Sequence, residues 1–379
     1  MKKICYLADA SSPHTKKWCD YFFNKGYEVN VISLNKGEIE GVNVYSFNFD
    51  VKGNKNKSAL KKVEYLKVIK EIKKIIYKIK PDILHAHYAS SYGLIGSLMN
   101  YRPYIISAWG TDVYEFPKNG FIQKKIIKYN FKKADYLFST SRSMSNEMKK
   151  YTDKEISITP FGIDLEKYKI NESIRKEKNK RNYKVIGTIK TLEKRYGIEY
   201  LIKAFAIVKS IYNKEEIYLK IAGDGSQLEN LKNLVNHLNL NESVEFLGRI
   251  NQDIVPDTFN LFDISVFPSL KESFGVSSLE SQACAVPVIV TNVGGHPETV
   301  INGESGLIVE PQNEEALAEA IIYLLSNDEK LDNMGLKGVE FVKQEYELNK
   351  TFNKIEKYII KSCKLLQIVT NIYKLFVVC

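Results

Sequence analysis

Between Pro268 and Glu280 the chain reads Pro-Ser-Leu-Lys-Glu-Ser-Phe-Gly-Val-Ser-Ser-Leu-Glu, with carboxylates at Glu272 and Glu280. An apolar run of strand length ends at Phe267, and Phe274-Gly275-Val276 opens a segment of helical period. A helix start carries unpaired N–H groups and a partial positive charge, which suits a phosphate. Gly275 has no Cβ, so a ligand can come close to the backbone there. Helical side chains lean back towards the N-terminus, so Glu280 can face a ligand held at that start. An ionised carboxylate accepts two hydrogen bonds at once, which matches the vicinal diol of a ribose. Glu272, in the preceding loop, is placed to accept hydroxyls of a sugar.

Positive charge stands elsewhere in the sequence. Lys190 follows Gly187-Thr188-Ile189, and Lys194-Arg195-Tyr196-Gly197 comes shortly after. His85 and His87 end a strand-like run, and strand alternation sends both to one face. Two histidines could begin a metal site, but no third ligand stands at suitable spacing, so no metal is expected.

These residues need strands and helices to hold them. Strand candidates in the first half are Ile4–Ala8, Glu28–Leu34, Ile83–Ala86, Tyr104–Ser107, Tyr136–Thr140 and Ser157–Thr159. Helical periods fit Thr15–Asn24, Leu60–Ile79, Ile122–Lys132 and Met144–Lys150. The polar stretch Asn171–Asn182 reads as a linker. Alternation then resumes, with strands expected at Lys184–Ile189, Tyr218–Ala222, Val244–Leu247, Ile264–Phe267, Val288–Thr291 and Gly306–Ile308. Helices are expected at Ile198–Ile211, Gln227–Leu238, Val276–Cys284 and Glu314–Ser326. Apolar strands separated by helices predict parallel sheets covered on both faces. The chain therefore reads as two doubly wound α/β domains, with ligands at the carboxyl ends of the strands.

A pair of dinucleotide-binding domains would have the same alternation. The loop after the first strand, Asp9-Ala10-Ser11-Ser12-Pro13-His14, lacks the glycine fingerprint for one. Gly223-Asp224-Gly225 has two of its glycines, but Leu228 stands where the third belongs.

The length of 379 residues suits two domains. A net charge of +10 favours anionic partners. The five cysteines are scattered, without metal or redox spacing, which points to free thiols in a reducing compartment. The start of the chain is too short in apolar residues for a signal peptide, and no run approaches the ~20 residues of a membrane span. A cytoplasmic protein is expected.

The glutamate pair, separated by seven residues and enclosing Phe274-Gly275, resembles the signature of the family-4 retaining glycosyltransferases. The likeness extends to Ile221-Ala222-Gly223-Asp224-Gly225, Phe246-Leu247-Gly248, Ala283-Cys284-Ala285-Val286-Pro287 and Gly294-Gly295-His296-Pro297-Glu298. In the first half it takes in Asp82-Ile83-Leu84-His85-Ala86-His87, Ala108-Trp109-Gly110-Thr111-Asp112 and Pro160-Phe161-Gly162-Ile163-Asp164. It covers residues 1 to about 361.

The resemblance implies a GT-B fold, with two Rossmann-like domains facing each other across a cleft. Residues 1–168 form the acceptor-side domain and 169–345 the nucleotide-sugar domain. A helix over 346–361 returns to the first domain, and the apolar tail 362–379 departs from the family. The activity implied is transfer of a hexose-type sugar from a nucleotide diphosphate donor, with retention, to a polysaccharide, glycolipid or lipid-linked acceptor of the cell envelope. A nucleotide-sugar epimerase, or an inactive relative serving as a binding subunit, stands as the alternative. Neither cofactor nor nucleic acid is implied, and the absence of Asp-x-Asp argues against the metal-dependent class.

By resemblance Glu272, Lys190 and His87 are catalytic, with His87 on the donor sugar and His85 structural. Glu280, Phe274, Gly275, Val276, Gly223, Gly248 and Arg249 bind the donor. The family's second basic residue is replaced by Tyr196, so Lys194 or Arg195 is expected to reach the diphosphate instead. Its glycine-rich loop is replaced by Ser11-Ser12-Pro13-His14. Ser12 could meet a phosphate, and His14 could face the acceptor or cap the next helix. Asp112 is placed on the acceptor side. The family's proposed chemistry is same-face substitution, in which the leaving phosphate takes the acceptor's proton. The lysines of helices 61–80 and 122–133 could be a solvated outer face or meet an anionic membrane, since many relatives act on lipid-linked acceptors.

Overall fold

The structure is a computed structural model that describes residues 2–48 and 67–360. The chain divides into two compact units, Met1–Pro160 with Phe352–Cys379, and Phe161–Thr351. The division falls at Pro160 rather than after Tyr168, because Ile163 N–H donates to the Tyr346 carbonyl and Leu348 N–H to that of Ile163, tying 161–168 into the second unit.

The described residues of the first unit form a parallel sheet of seven strands. These are β1 (Lys3–Leu7), β2 (Glu28–Ser33), β3 (Asn43–Ser46), β4 (Ile83–His87), β5 (Tyr104–Ala108), β6 (Tyr136–Ser139) and β7 (Ile156–Ile158). Their order is β3-β2-β1-β4-β5-β6-β7. The second unit has six parallel strands, β8 (Tyr183–Ile189), β9 (Glu216–Ala222), β10 (Val244–Gly248), β11 (Ile264–Phe267), β12 (Val288–Thr291) and β13 (Gly306–Val309). They run in the order β10-β9-β8-β11-β12-β13. In both sheets the strand order reverses beside the unit's first strand, between β1 and β4 and between β8 and β11. A doubly wound sheet binds its ligand at such a switch point. Central strands such as β4 and β11 are buried along their whole length, as sheets covered on both faces require.

Most of the expected elements form, some with shifted ends. The stretch expected to be a linker instead contains the helix Glu172–Lys178. The Asn171 side chain caps it by accepting from the amides of Ser173 and Ile174, while Lys178 and Arg181 bond to the Phe262 and Leu261 carbonyls. Further elements went unexpected, among them strand β3 and the helices Ser91–Met99, Val255–Asn260 and Asp328–Glu345. The first of these helices is apolar on nearly every side and has no amphipathic stripe. Its Gly96 lies so close to the Tyr104 ring that a Cβ would stand 2.4 Å from it.

Of the expected helix Leu60–Ile79, residues 60–66 lie outside the described residues, and the helix runs from Ile69 to Ile79. Its Ile72, Ile76 and Ile79 are buried against the sheet, with Lys70, Lys73, Lys74 and Lys78 exposed. Residues 348–360 are helical, and Phe352, Ile355 and Ile359 are buried. The tail 362–379 lies outside the described residues. Among the described residues no helix is long and apolar enough to cross a membrane.

Candidate active site

At the switch point of the second unit, Lys190 leaves β8 and Glu272 sits in the loop after β11. Lys190 Nζ donates to Glu272 Oε2 at 2.6 Å, and both side chains are about nine-tenths buried. The other carboxylate oxygen accepts from the Ser273 amide at 3.2 Å. Burial would raise the Glu272 carboxyl, but the Lys190 ammonium, with help from His296 and the Ser273 amide, outweighs it and holds the group down to about 2. For Lys190, burial works against the charge and Glu272 more than restores it, so its pKa lies above the ordinary lysine value. A buried ion pair of this kind costs desolvation and adds little stability. The two opposite charges are held ready where a ligand of doubly wound sheets binds.

The loop around Glu272 is shaped by glycines. Gly275 has φ +104° at the cap of the helix Val276–Ala283, and Gly294 has φ +53°. The Glu272 carbonyl accepts from the Gly295 amide at 3.2 Å. Gly223, at the end of β9, serves the backbone: its φ is +145°, and a Cβ would stand 1.9 Å from the Lys190 carbonyl oxygen. Gly248 accepts from the Gly223 amide. Arg249 is exposed beside it.

Glu280 lies further along the helix and is bonded by the Tyr168 hydroxyl. Burial raises the Tyr168 pKa, and the nearby Glu280 carboxylate raises it further. Phe274 is buried against Phe161 and Tyr346, so its ring belongs to the core and only its backbone is at the helix start. Val276 is the first helical residue and half-buried.

The expected substitute cations part company. Lys194 is exposed. The Arg195 guanidinium stacks on the Tyr196 ring at 5.1 Å, and Lys190 Nζ lies over the same ring at 4.6 Å. Tyr196 is thus a cation–π partner of both Lys190 and Arg195.

In the first unit, β4 ends in His85 and His87, both fully buried. His85 Nε2 bonds Ser107 Oγ at 2.8 Å. Trp109, Tyr6 and Trp18 lie 4.5, 5.0 and 5.2 Å from the His87 ring, and neither of its nitrogens has a hydrogen-bond partner. Burial, with His85 and His14 adding to it, keeps His87 neutral, well below the usual histidine pKa. His14 packs edge-on to Trp109, and burial lowers it to about 4. Ser12 precedes the helix Pro13–Asn24, but its hydroxyl makes no capping bond. Asp112 is fully committed, accepting from the backbone amides of Ala89, Trp109 and Gly110. It therefore shapes the loop after β5 rather than facing an acceptor. Among the described residues no cluster of three or more His, Cys, Asp or Glu could hold a metal.

Sequence reasoning assigned no role to Tyr168 or His296. Tyr168 stood before the expected boundary, remote in sequence from Glu280. His296 lies within Gly294-Gly295-His296-Pro297-Glu298, but nothing in its spacing showed that its ring would meet Glu272.

The sequence profile of the glycosyl transferases of group 1 matches residues 169–340, and that of the glycosyl transferase 4-like proteins matches residues 3–141. An uncharacterized glycosyltransferase of Methanocaldococcus jannaschii is 30% identical over 275 residues, 72% of this chain and 73% of the relative. The fold matches sucrose-phosphate synthase from Thermosynechococcus elongatus with a TM-score of 0.83 and 19% identity, covering 95% of this chain and 99% of that one. It also matches HepE of Anabaena, solved with UDP and glucose, with a TM-score of 0.79 and 18% identity over 95% and 100% of the two chains.

Proposed function

Because the chain belongs to the glycosyl transferases of group 1, we propose that it moves a hexose-type sugar, with retention, from a nucleoside diphosphate to a cell-envelope acceptor. The buried Lys190–Glu272 pair beside the start of the helix Val276–Ala283 carries this reading. Diphosphate and sugar demand opposite things of a site, a cation for the leaving oxygen and an acceptor for sugar hydroxyls. Lys190 and the helix start supply the first, and Glu272 the second. Glu280, steadied by Tyr168, is left for the ribose diol. HepE, with its bound UDP and glucose, makes a uridine nucleotide the first donor to try.

The reaction then needs no protein nucleophile. The bond from the anomeric carbon to the phosphate oxygen breaks as the acceptor oxygen bonds on the same face. The acceptor's proton passes to the leaving phosphate, and the protein positions the reactants and stabilises the charge that develops.

The acceptor side of the reading is an anionic membrane carrying a lipid-linked glycan. Phe121 and Ile122, at the start of the helix Phe121–Lys133, are 71% and 69% exposed, and Lys124, Lys125 and Lys128 follow them. Exposed apolar side chains beside lysines are the composition of an interfacial contact. Incubating the protein with a panel of nucleotide sugars and a polyprenyl-phosphate-linked glycan, with the anomer of the product read by NMR, tests the whole proposal. An inverted product would reject retention, and donor consumption without transfer to any lipid-linked acceptor would reject the acceptor class.

A further inference from the structure

His296 begins the short turn His296–Thr299 after β12, and its side chain is fully buried. Its Nε2 lies 3.6 Å from Glu272 Oε2, the same oxygen that Lys190 Nζ bonds at 2.6 Å. The same edge of the ring abuts Gly275, where a Cβ would stand 2.5 Å from Cδ2 and 3.2 Å from Nε2. The Nε2 edge of the imidazole is therefore close both to the carboxylate of the ion pair and to the cap of the helix Val276–Ala283. The backbone behind it is pinned, since Thr299 Oγ1 donates to the His296 carbonyl and shares a hydrogen bond with Ser278 Oγ.

Neither ring nitrogen makes a well-formed hydrogen bond. The charged groups acting on the ring are Glu272, from the loop after β11, and Lys190, from the end of β8. The first turn of the helix Val276–Ala283 carries no acidic side chain. Burial lowers the imidazole to about 4; Glu272 and the Thr291 backbone pull upward, and Lys190 pushes further down. The ring is thus neutral at pH 7, so its approach to Glu272 is not an ion pair.

We propose that His296 is a conditional cation of the donor site, neutral while the site is empty and protonated once a nucleoside-diphosphate sugar sits at the start of the helix Val276–Ala283. This rests on the donor reading given above. A seated diphosphate brings two negative charges to the helix cap against which the ring packs. It also draws the Lys190 ammonium partly away from Glu272, leaving that carboxylate more negative towards the ring. Each unit charge at a contact of this kind raises a neighbouring imidazole by about two pH units. The proton comes from solvent, and no bond other than N–H forms. Affinity rises as the pH falls through the bound-state value, by up to about tenfold per pH unit, and levels off near the free-state value.

The probe is whichever of UDP-glucose, UDP-N-acetylglucosamine, GDP-mannose and ADP-glucose most raises the melting temperature of the full chain. Nucleotide sugars have no phosphate group titrating near pH 6, so the proton count belongs to the protein. Calorimetry at pH 6 in two buffers of different ionisation enthalpy should show uptake of up to one proton by the wild type and clearly less by His296→Gln. Equal uptake by the two proteins, or none by the wild type, overturns the proposal. Should His296→Gln fail to fold, the imidazole resonances of the wild type decide, since the chain has only five histidines. One resonance should begin to titrate near neutrality only with the nucleotide sugar present, and the absence of such a change overturns the proposal. If none of the four nucleotide sugars binds, the donor reading fails and this inference falls with it. Binding without proton uptake rejects His296 alone.

Discussion

A Cβ on Gly294 would stand 1.7 Å from the backbone oxygen of Glu272. The loop after β12 therefore sits directly on the loop that carries the carboxylate, and no side chain fits between them. Gly294 also has φ +53°, where a Cβ is strained. Gly303 has φ +81° but nothing within 4 Å of its Cβ position. Gly303→Ala should cost only the backbone strain, about 1–2 kcal/mol. Gly294→Ala should cost more and should displace Glu272, lowering turnover at least tenfold even where the protein folds. Thermal melts and donor turnover on both variants check this, and equal behaviour would remove Gly294 as the spacer of the site.

The two glutamates should separate by function. Glu280→Ala removes a ribose acceptor and should weaken UDP binding by about tenfold or more, the loss of a hydrogen bond to a charged group. Glu272→Gln frees Lys190 from its counter-charge, so UDP binding should be kept or tightened while turnover falls. Calorimetry with UDP and turnover with a nucleotide sugar separate the two. Unchanged UDP affinity in Glu280→Ala would sink its assignment.

How legible these roles were depended on distance along the chain. Glu272, Gly275 and Glu280 share one strand–loop–helix segment, so an expectation for them could be drawn from spacing alone. Lys190 was placed by resemblance, and only the fold shows that β8 and β11 are neighbours and that Lys190 bonds Glu272. Tyr168 and His296 reach the glutamates from other loops, and no periodicity records such contacts. Among the elements, amphipathic helices and apolar strands were readable, whereas Ser91–Met99 is buried on most sides and carries no stripe. Asp112 shows a different limit. A short acidic residue after a strand looks available, until three backbone amides are found to occupy it.

Donor turnover should survive chelation. The charge of the leaving phosphate is met by Lys190 and a helix terminus, with no metal in that role. Activity in excess EDTA should stay within about twofold of the untreated enzyme. Loss of turnover restored by Mg²⁺ or Mn²⁺ would contradict this.

Acid should loosen the first unit through its histidines. Burial lowers His85 to about 3, and it lowers His87 well below the ordinary value of 6.5. Below 6.5 the unfolded chain takes up protons that the folded one refuses. Stability is thus full above that pH and declines as pH falls towards the folded values, by about 1.4 kcal/mol per pH unit for each such imidazole. Between pH 6.5 and 5, above the carboxylate range, His85→Gln should show a shallower fall in melting temperature than the wild type. Parallel slopes would show that His85 is not neutral in the fold.

The last prediction concerns helix 348–360, whose residues from Phe352 belong to the first unit. Phe352 is 1% exposed, stacks on Tyr21 with ring centroids 4.9 Å apart, and meets Trp18 edge-on at 5.1 Å. Two polar contacts fix the helix over this core, Tyr21 Oη donating to Asn353 Oδ1 and Tyr27 Oη to Glu356 Oε1. Trp18 in turn touches His85 and His87, so this helix supports the wall of the histidine cluster. Phe352→Ala removes a ring from a packed core and should cost about 3–5 kcal/mol, with Phe352→Leu costing less. The readout can be confined to this unit, because the only two tryptophans of the chain, Trp18 and Trp109, both lie against His87. Unfolding followed by tryptophan fluorescence should therefore move to a lower midpoint in Phe352→Ala, and by less in Phe352→Leu. An unchanged midpoint in both would show that helix 348–360 does not belong to the core that holds His87.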